Sequence, residues 1–190
     1  MMTPEQTTAL KNDIIAKSLP GQPLEALVAG NDWQNVAAYY NADSATNVWM
    51  PDASRDKVFG AVQWKKLTVS DAPPTGAASI TDGSAVNYTN RVLQCQGFQM
   101  NLQVMLPPGA TTLPGNQLEY RQGLQDALSA VPSGPAGAIQ NAGWAAVQNA
   151  LRRPGTRFEI LFSAVEGNAN KSTAYGQRVD GNDCYSAYVS

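Results

Sequence analysis

Between Asn116 and Phe162 the sequence sets out three apolar faces in succession, each closed by proline or glycine, and no other stretch restricts the fold as much. Asn116, with Glu119 three residues on, has the form of a reciprocal helix cap, in which each side chain accepts from a backbone amide near the start of the helix. Leu124, Ala127, Leu128 and Val131 follow at the i, i+3, i+4, i+7 spacing of a helix with one buried side. Pro132-Ser133-Gly134-Pro135 ends it, because proline lacks an amide and restricts the residue before it. A second helix is expected over about 136–153, with Trp144, Val147 and Leu151 as its bulky stripe. Ala138, Ala142, Gly143, Ala145, Ala146 and Ala150 give it a small-residue side that another backbone can approach closely. Arg152 and Arg153 fall in its last turn, where cations offset the helix dipole, and Pro154-Gly155 closes it. Thr156 with Glu159 repeats the cap, and Phe158, Leu161, Phe162 and Val165 form the third face.

The rest of the chain extends this pattern. Thr3-Pro4-Glu5-Gln6 starts a helix whose buried side is Leu10, Ile14 and Ile15. Shorter helices are expected after Pro23, Asn31 and Ser54, with Val48-Trp49 extended between them. The segment 83–106 is the longest predicted helix. Along it Val86, Leu93 and Met100 recur every seven residues, as do Asn90, Gly97 and Val104, while Val92, Cys95, Phe98, Leu102 and Met105 form a second stripe. Covered on two sides, such a helix belongs at the centre of a bundle. After Gly167 the helical period is lost, and Val179, Tyr185, Tyr188 and Val189 are the strand formers of an extended arm with a short hairpin or strand. The expected fold is therefore all-α: a helical bundle over 1–167 around one long central helix, and an extended C-terminal arm over 168–190.

Composition narrows the chemistry. The 13 basic and 15 acidic side chains leave a net charge of −2, too balanced for a dedicated nucleic-acid or membrane-surface binder. No apolar run approaches the ~20 residues needed to span a bilayer. Without histidine the usual triads and imidazole metal sites are gone. Asp180-Gly181-Asn182-Asp183 lacks the ligand spacing and closing glutamate of a calcium loop, and reads as a polar turn. No catalytic residue, metal or cofactor is expected. Asp52 with Asp56, and Glu159 with Glu166, are better explained as caps or solvated faces than as acid/base pairs. Trp49 and Trp64 are expected as packing anchors. Arg152, Arg153 and Arg157 are the densest basic cluster and the candidate phosphate contact, although three charges make a poor footprint. Cys95 and Cys184 are expected as free thiols in a cytoplasmic setting. Sparse charge with abundant Asn, Gln, Ser, Thr, Gly and Ala suits a surface buried against neighbours.

Several motifs carry a resemblance: Thr3-Pro4-Glu5-Gln6 with Leu10 and Ile14, Val48-Trp49, Trp64 with Leu67-Thr68, and the long helix around Leu93. To these add 121–128 (RQGLQDAL), 143–148 (GWAAVQ), and Thr156-Arg157-Phe158-Glu159 with Leu161-Phe162. Together they resemble small proteins encoded among the virion structural genes of tailed bacteriophages and prophages, over most of the chain up to about residue 165. Within that group the architecture looks like the neck adaptors that join head to tail. The resemblance implies a virion protein assembled in the host cytoplasm, a dodecameric ring of its own copies around the DNA channel, portal and tail proteins as partners, and non-specific contact with passing DNA. It makes Ala142, Gly143, Ala146 and Ala150 the candidate subunit-packing face, and Val179, Tyr185, Tyr188 and Val189 the candidate portal-binding arm. The competing expectations are a capsid decoration or minor capsid protein and, from another class, a small hydrolase.

Overall fold

The structure is a computed structural model that describes residues 2–76, 78–135, 137–165 and 178–190. In chain order its elements are α1 (Pro4–Lys17), α2 (Glu25–Ala29), α3 (Trp33–Asn41), β1 (Asp43–Trp49), β2 (Ala53–Ser54), α4 (Arg55–Ala61), α5 (Ala78–Thr81) and α6 (Ser84–Met105). They continue as β3 (Thr112–Leu113), α7 (Leu118–Ser129), β4 (Val131–Pro132), β5 (Ile139–Gln140), α8 (Trp144–Ala150), β6 (Arg152–Thr156), α9 (Arg157–Val165) and α10 (Gly181–Val189).

Helices dominate, but the all-α expectation is wrong. Among the described residues β1 pairs with β6, β2 with β3 and β4 with β5. The last two pairs are antiparallel, with Ala53 opposite Leu113 and Val131 opposite Gln140. Pro51, Pro114, Pro132 and Pro154 lie in or beside these segments and interrupt a helix, and pairing satisfies the neighbouring backbone amides and carbonyls instead.

The chain divides into two compact units, and the division is not at 167/168. One unit joins Met1–Met50 to Arg153–Ser190, and the other is Pro51–Arg152. The first is built on α1, α3, α9 and α10. Thr3 and Gln6 form the expected cap of α1, and Thr156 and Glu159 that of α9, with Glu159 N donating to Thr156 Oγ1 at 3.1 Å. Leu10, Ile14, Leu24, Val36, Tyr40, Phe158 and Phe162 are buried together. The rings of Phe158 and Phe162 lie 4.0 Å apart. Glu159 is 1% exposed. Its two oxygens accept from Arg153 at 2.8 and 2.6 Å, and Oε2 also accepts from the Thr156 amide at 2.9 Å. Removing that carboxylate leaves a guanidinium and an amide short of acceptors, although Arg153 can turn to water. Glu159→Ala is expected to cost about 2 kcal/mol in chemical denaturation.

The extended arm is also corrected. Its residues 168–177 lie outside the described residues, and 181–189 form α10. Asp180 caps this helix, accepting from Asp183 N at 2.8 Å, while the Asp183 carboxylate accepts from the Asp180 amide at 3.1 Å. Cys184 and Ala187 are fully buried in the same cluster as α1 and α3. Burying that stripe outweighs the strand preference of the valines and tyrosines around it.

In the second unit α6 is held along one side. The Arg91 guanidinium donates to both oxygens of Asp71 at 2.6 and 2.8 Å, and Gln99 Nε2 to Leu67 O at 2.7 Å. Cys95 and Leu102 are buried on this side. At its end, Tyr120 donates to Met105 O at 2.7 Å and Arg55 to Leu106 O at 3.3 Å, so the last carbonyls are satisfied by side chains. Gly123 of α7 leaves space for the Met105 side chain, whose Cε would lie 2.8 Å from a Cβ there.

Candidate functional site

The predicted helix over 136–153 forms only as α8, Trp144–Ala150. Gly143 precedes it with φ +101, and the Asn141 side chain accepts from Gly143 N at 2.9 Å and Trp144 N at 2.8 Å. Ala142 is fully buried: its amide donates to Leu128 O at 2.7 Å and its carbonyl accepts from Gln63 N at 2.9 Å. The proposed subunit-packing face is thus split. Ala142 and Gly143 are interior to the second unit, Ala150 is half-buried and Ala146 is exposed.

The candidate arm is split in the same way. Val179 is buried, with its amide and carbonyl both bonded to the Asn41 side chain at 3.1 and 2.7 Å. Trp33 stacks with Tyr188 and Tyr185 at centroid distances of 5.2 and 5.5 Å. Tyr185 and Val189 remain exposed. Two of the three candidate arginines serve the first unit. Arg153 holds Glu159, and Arg157 donates to Tyr39 O at 2.8 Å while lying 4.2 Å from the centre of the Tyr39 ring. Arg152 is half-buried and burial lowers its pKa.

The remaining chemistry-bearing groups are structural. Trp49 is buried, and Trp64 stacks on Phe59 at 4.7 Å while donating to Phe59 O at 3.1 Å. Burial pushes the Cys184 thiol up to about 12, helped by Asp183 and Asp180, and raises Cys95 as well. Burial, then the hydrogen bond to Asp13, raises the Tyr40 phenol. No group of three or more Cys, Asp or Glu among the described residues is arranged to hold a metal ion. No described helix is long and apolar enough to cross a membrane.

Two surface features of the second unit stand out. A cleft of about 820 Å³ lies beside α6, lined by Asp71, Asn87, Arg91, Gln94, Pro132 and Ile139 among others. Its guanidinium and carboxylate neutralise one another, with Arg91 holding Asp71 below the usual carboxylate range. What it offers a ligand is amide hydrogen bonding.

The second feature is the outer face of α6. Val86, Leu93, Met100 and Val104 are 59, 59, 66 and 79% exposed, and Asn90 and Gly97 between them are exposed as well. No protein-family model, no curated protein and no solved structure matches this chain. The seven-residue repeat predicted a central, covered helix, and the structure covers only the other stripe. Sequence reasoning also passed over the rim of the seam. Asn87, Thr89, Gln94, Gln96, Asn101 and Gln103 are all exposed and uncharged. Their neutrality was legible as an absence of charge on either side of the seven-residue repeat.

Proposed function

We propose that this chain is a structural subunit of a tailed-phage virion, a neck adaptor whose copies form a dodecameric ring between portal and tail around the DNA channel. The motifs that resemble phage virion proteins supply the class. The observation that carries an assembly role is the exposed seam of α6: four large apolar groups in register on a neutral rim, uncovered by the described residues. The first unit adds Ile15, Leu19, Tyr185 and Val189 as exposed apolar groups available to ring neighbours, portal or tail. Glu159, the buried carboxylate, is bonded to Arg153 and the Thr156 amide, which supports a packing role for it over acid/base chemistry.

The test is the number of copies in a purified particle, counted by quantitative mass spectrometry against the portal protein. One copy per portal subunit is the expected result. Hundreds of copies per particle would overturn the neck placement in favour of shell decoration, and absence from the particle would overturn the virion role altogether.

A further inference from the structure

The outer seam of α6 has a geometry of its own. Val86, Asn90, Leu93, Gly97, Met100 and Val104 advance by alternating steps of four and three residues, the spacing by which one helix meets one other helix. On a helix turning about 100° per residue, two positions four apart differ by about 40°, so the six form one narrow stripe. Such a stripe serves a single neighbour along the 22 residues of α6, a length of about 33 Å.

We propose that a second copy of this chain covers the seam, with the two α6 helices antiparallel and Leu93 of each seated at Gly97 of the other. The six positions are symmetric about residue 95. An antiparallel two-fold arrangement therefore sets Val86 against Val104, Asn90 against Met100 and Leu93 against Gly97, in both halves of the pair at once. The largest aliphatic side chain of the seam then meets the position with none, which is how facing layers interdigitate.

Gly97 points to the same arrangement. A glycine inside a helix costs about 1 kcal/mol relative to alanine. A Cβ built at Gly97 would meet nothing within 4 Å, so the chain's own packing gives no reason for it. A bulky side chain from a second helix gives one. The rim identifies the occupant as another copy. Asn87, Thr89, Gln94, Gln96, Asn101 and Gln103 each carry both a donor and an acceptor, so the surface is complementary to itself and offers a charged partner no counter-charge. Arg91, the charged residue of α6, is on the inner side with Asp71, so α6 itself brings no charge to the contact.

This contact is isologous and closes after two copies, so it describes the free chain in solution, and on assembly the same seam exchanges this partner for a ring neighbour. It rests on the reading of the seam as an assembly surface and not on placement in the neck, which the copy number decides separately. The test uses the full chain in sedimentation equilibrium over a range of concentrations, with helicity followed by circular dichroism. The wild-type chain is expected to reach the mass of a pair. Gly97→Leu fills the recess at a position where a Cβ meets no described atom within 4 Å, and is expected to keep full helicity while weakening association roughly tenfold to a hundredfold. Met100→Lys, also on the exposed seam, is expected to do the same by burying an unpaired ammonium opposite Asn90 of the other copy. A wild-type chain that stays monomeric overturns the proposal. So does a Gly97→Leu chain that pairs as tightly as the wild type, since a parallel pair or an unrelated contact would tolerate it.

Discussion

Truncating the chain after residue 177 is expected to unfold the unit made of Met1–Met50 and Arg153 onward, although the lost segment carries the appearance of a dispensable tail. Thirteen residues go, and with them the wall on which α1 and α3 are packed. Val179, Cys184 and Ala187 are buried members of that unit's core, and Tyr188 packs against it from the rim. Burying a side chain of this kind is worth about 1.5–3 kcal/mol for the larger ones. The loss of α10 therefore removes on the order of 5 kcal/mol and exposes Leu10, Ile14 and Val36 to water, a large part of the stability of an ordinary domain. Asn41 is left with neither of its two bonds to Val179. Hydrogen exchange resolved by segment is the measurement. Amides of α1, α3 and α9 are expected to lose protection, while those of α6 and α7 retain it. Preserved protection in α1 and α3 would show that α10 rides on a core complete without it. The milder variant Ala187→Asp, which buries a charge in the same wall, is expected to weaken protection over the same segments and no others.

How much of this was legible in the sequence depends on how local the determining interaction is. The caps at Thr3 and Thr156 were readable because each is closed by a partner three residues away, and both form. The cap expected at Asn116 does not form. Gln117 takes the N-cap position of α7 without a side-chain bond, and the local pattern carried no sign of that one-residue shift. The alanine-rich run over 136–153 is helical only over Trp144–Ala150. Its periodicity was helical, but Ile139 and Gln140 pair with β4, Gly143 adopts a left-handed turn, and Arg152–Thr156 pairs with β1. Only the last is decided by a segment distant in sequence: β5 closes a hairpin with a strand just before it, and the Asn141 side chain holds the Gly143 turn. The tail misled through propensity: tyrosine and valine favour strands, yet the stripe of Cys184 and Ala187 found a buried surface in helical form.

For α6 the sequence contained two apolar stripes and no means of ranking them. Val92, Cys95, Phe98, Leu102 and Met105 turn inward, where Arg91 and Gln99 are tied down beside them. The seam with the stricter seven-residue repeat turns outward. Periodicity finds faces, and burial decides what each face is for.

The same distinction decides what a substitution at Gly143 should do. Gly143 and Gly97 look alike in the sequence, each a small residue in a helical pattern offered for close packing, but their surroundings differ. At Gly143 a Cβ would stand 2.7 Å from Ala61 O, 3.2 Å from Gln63 Cγ and 3.3 Å from Gln63 N, on a backbone with φ +101. Two costs combine in Gly143→Leu. A left-handed conformation costs a residue with a Cβ about 1–2 kcal/mol, and forcing atoms into a packed interior costs about 1–3 kcal/mol more. The expected loss is therefore about 3–4 kcal/mol. Because the atoms in the way belong to the same unit, this loss should appear as a lowered denaturation midpoint that does not depend on protein concentration. A residue used for packing between subunits would instead show its effect only where the subunits associate. Gly143→Asn separates the two costs. Asparagine tolerates the left-handed region but still carries a Cβ, so it should recover the conformational part and retain the clash with the Ala61 carbonyl. An asparagine variant as stable as the wild type would mean that the carbonyl of Ala61 does not close on this turn, and that the 141–143 corner is not what fixes the start of α8.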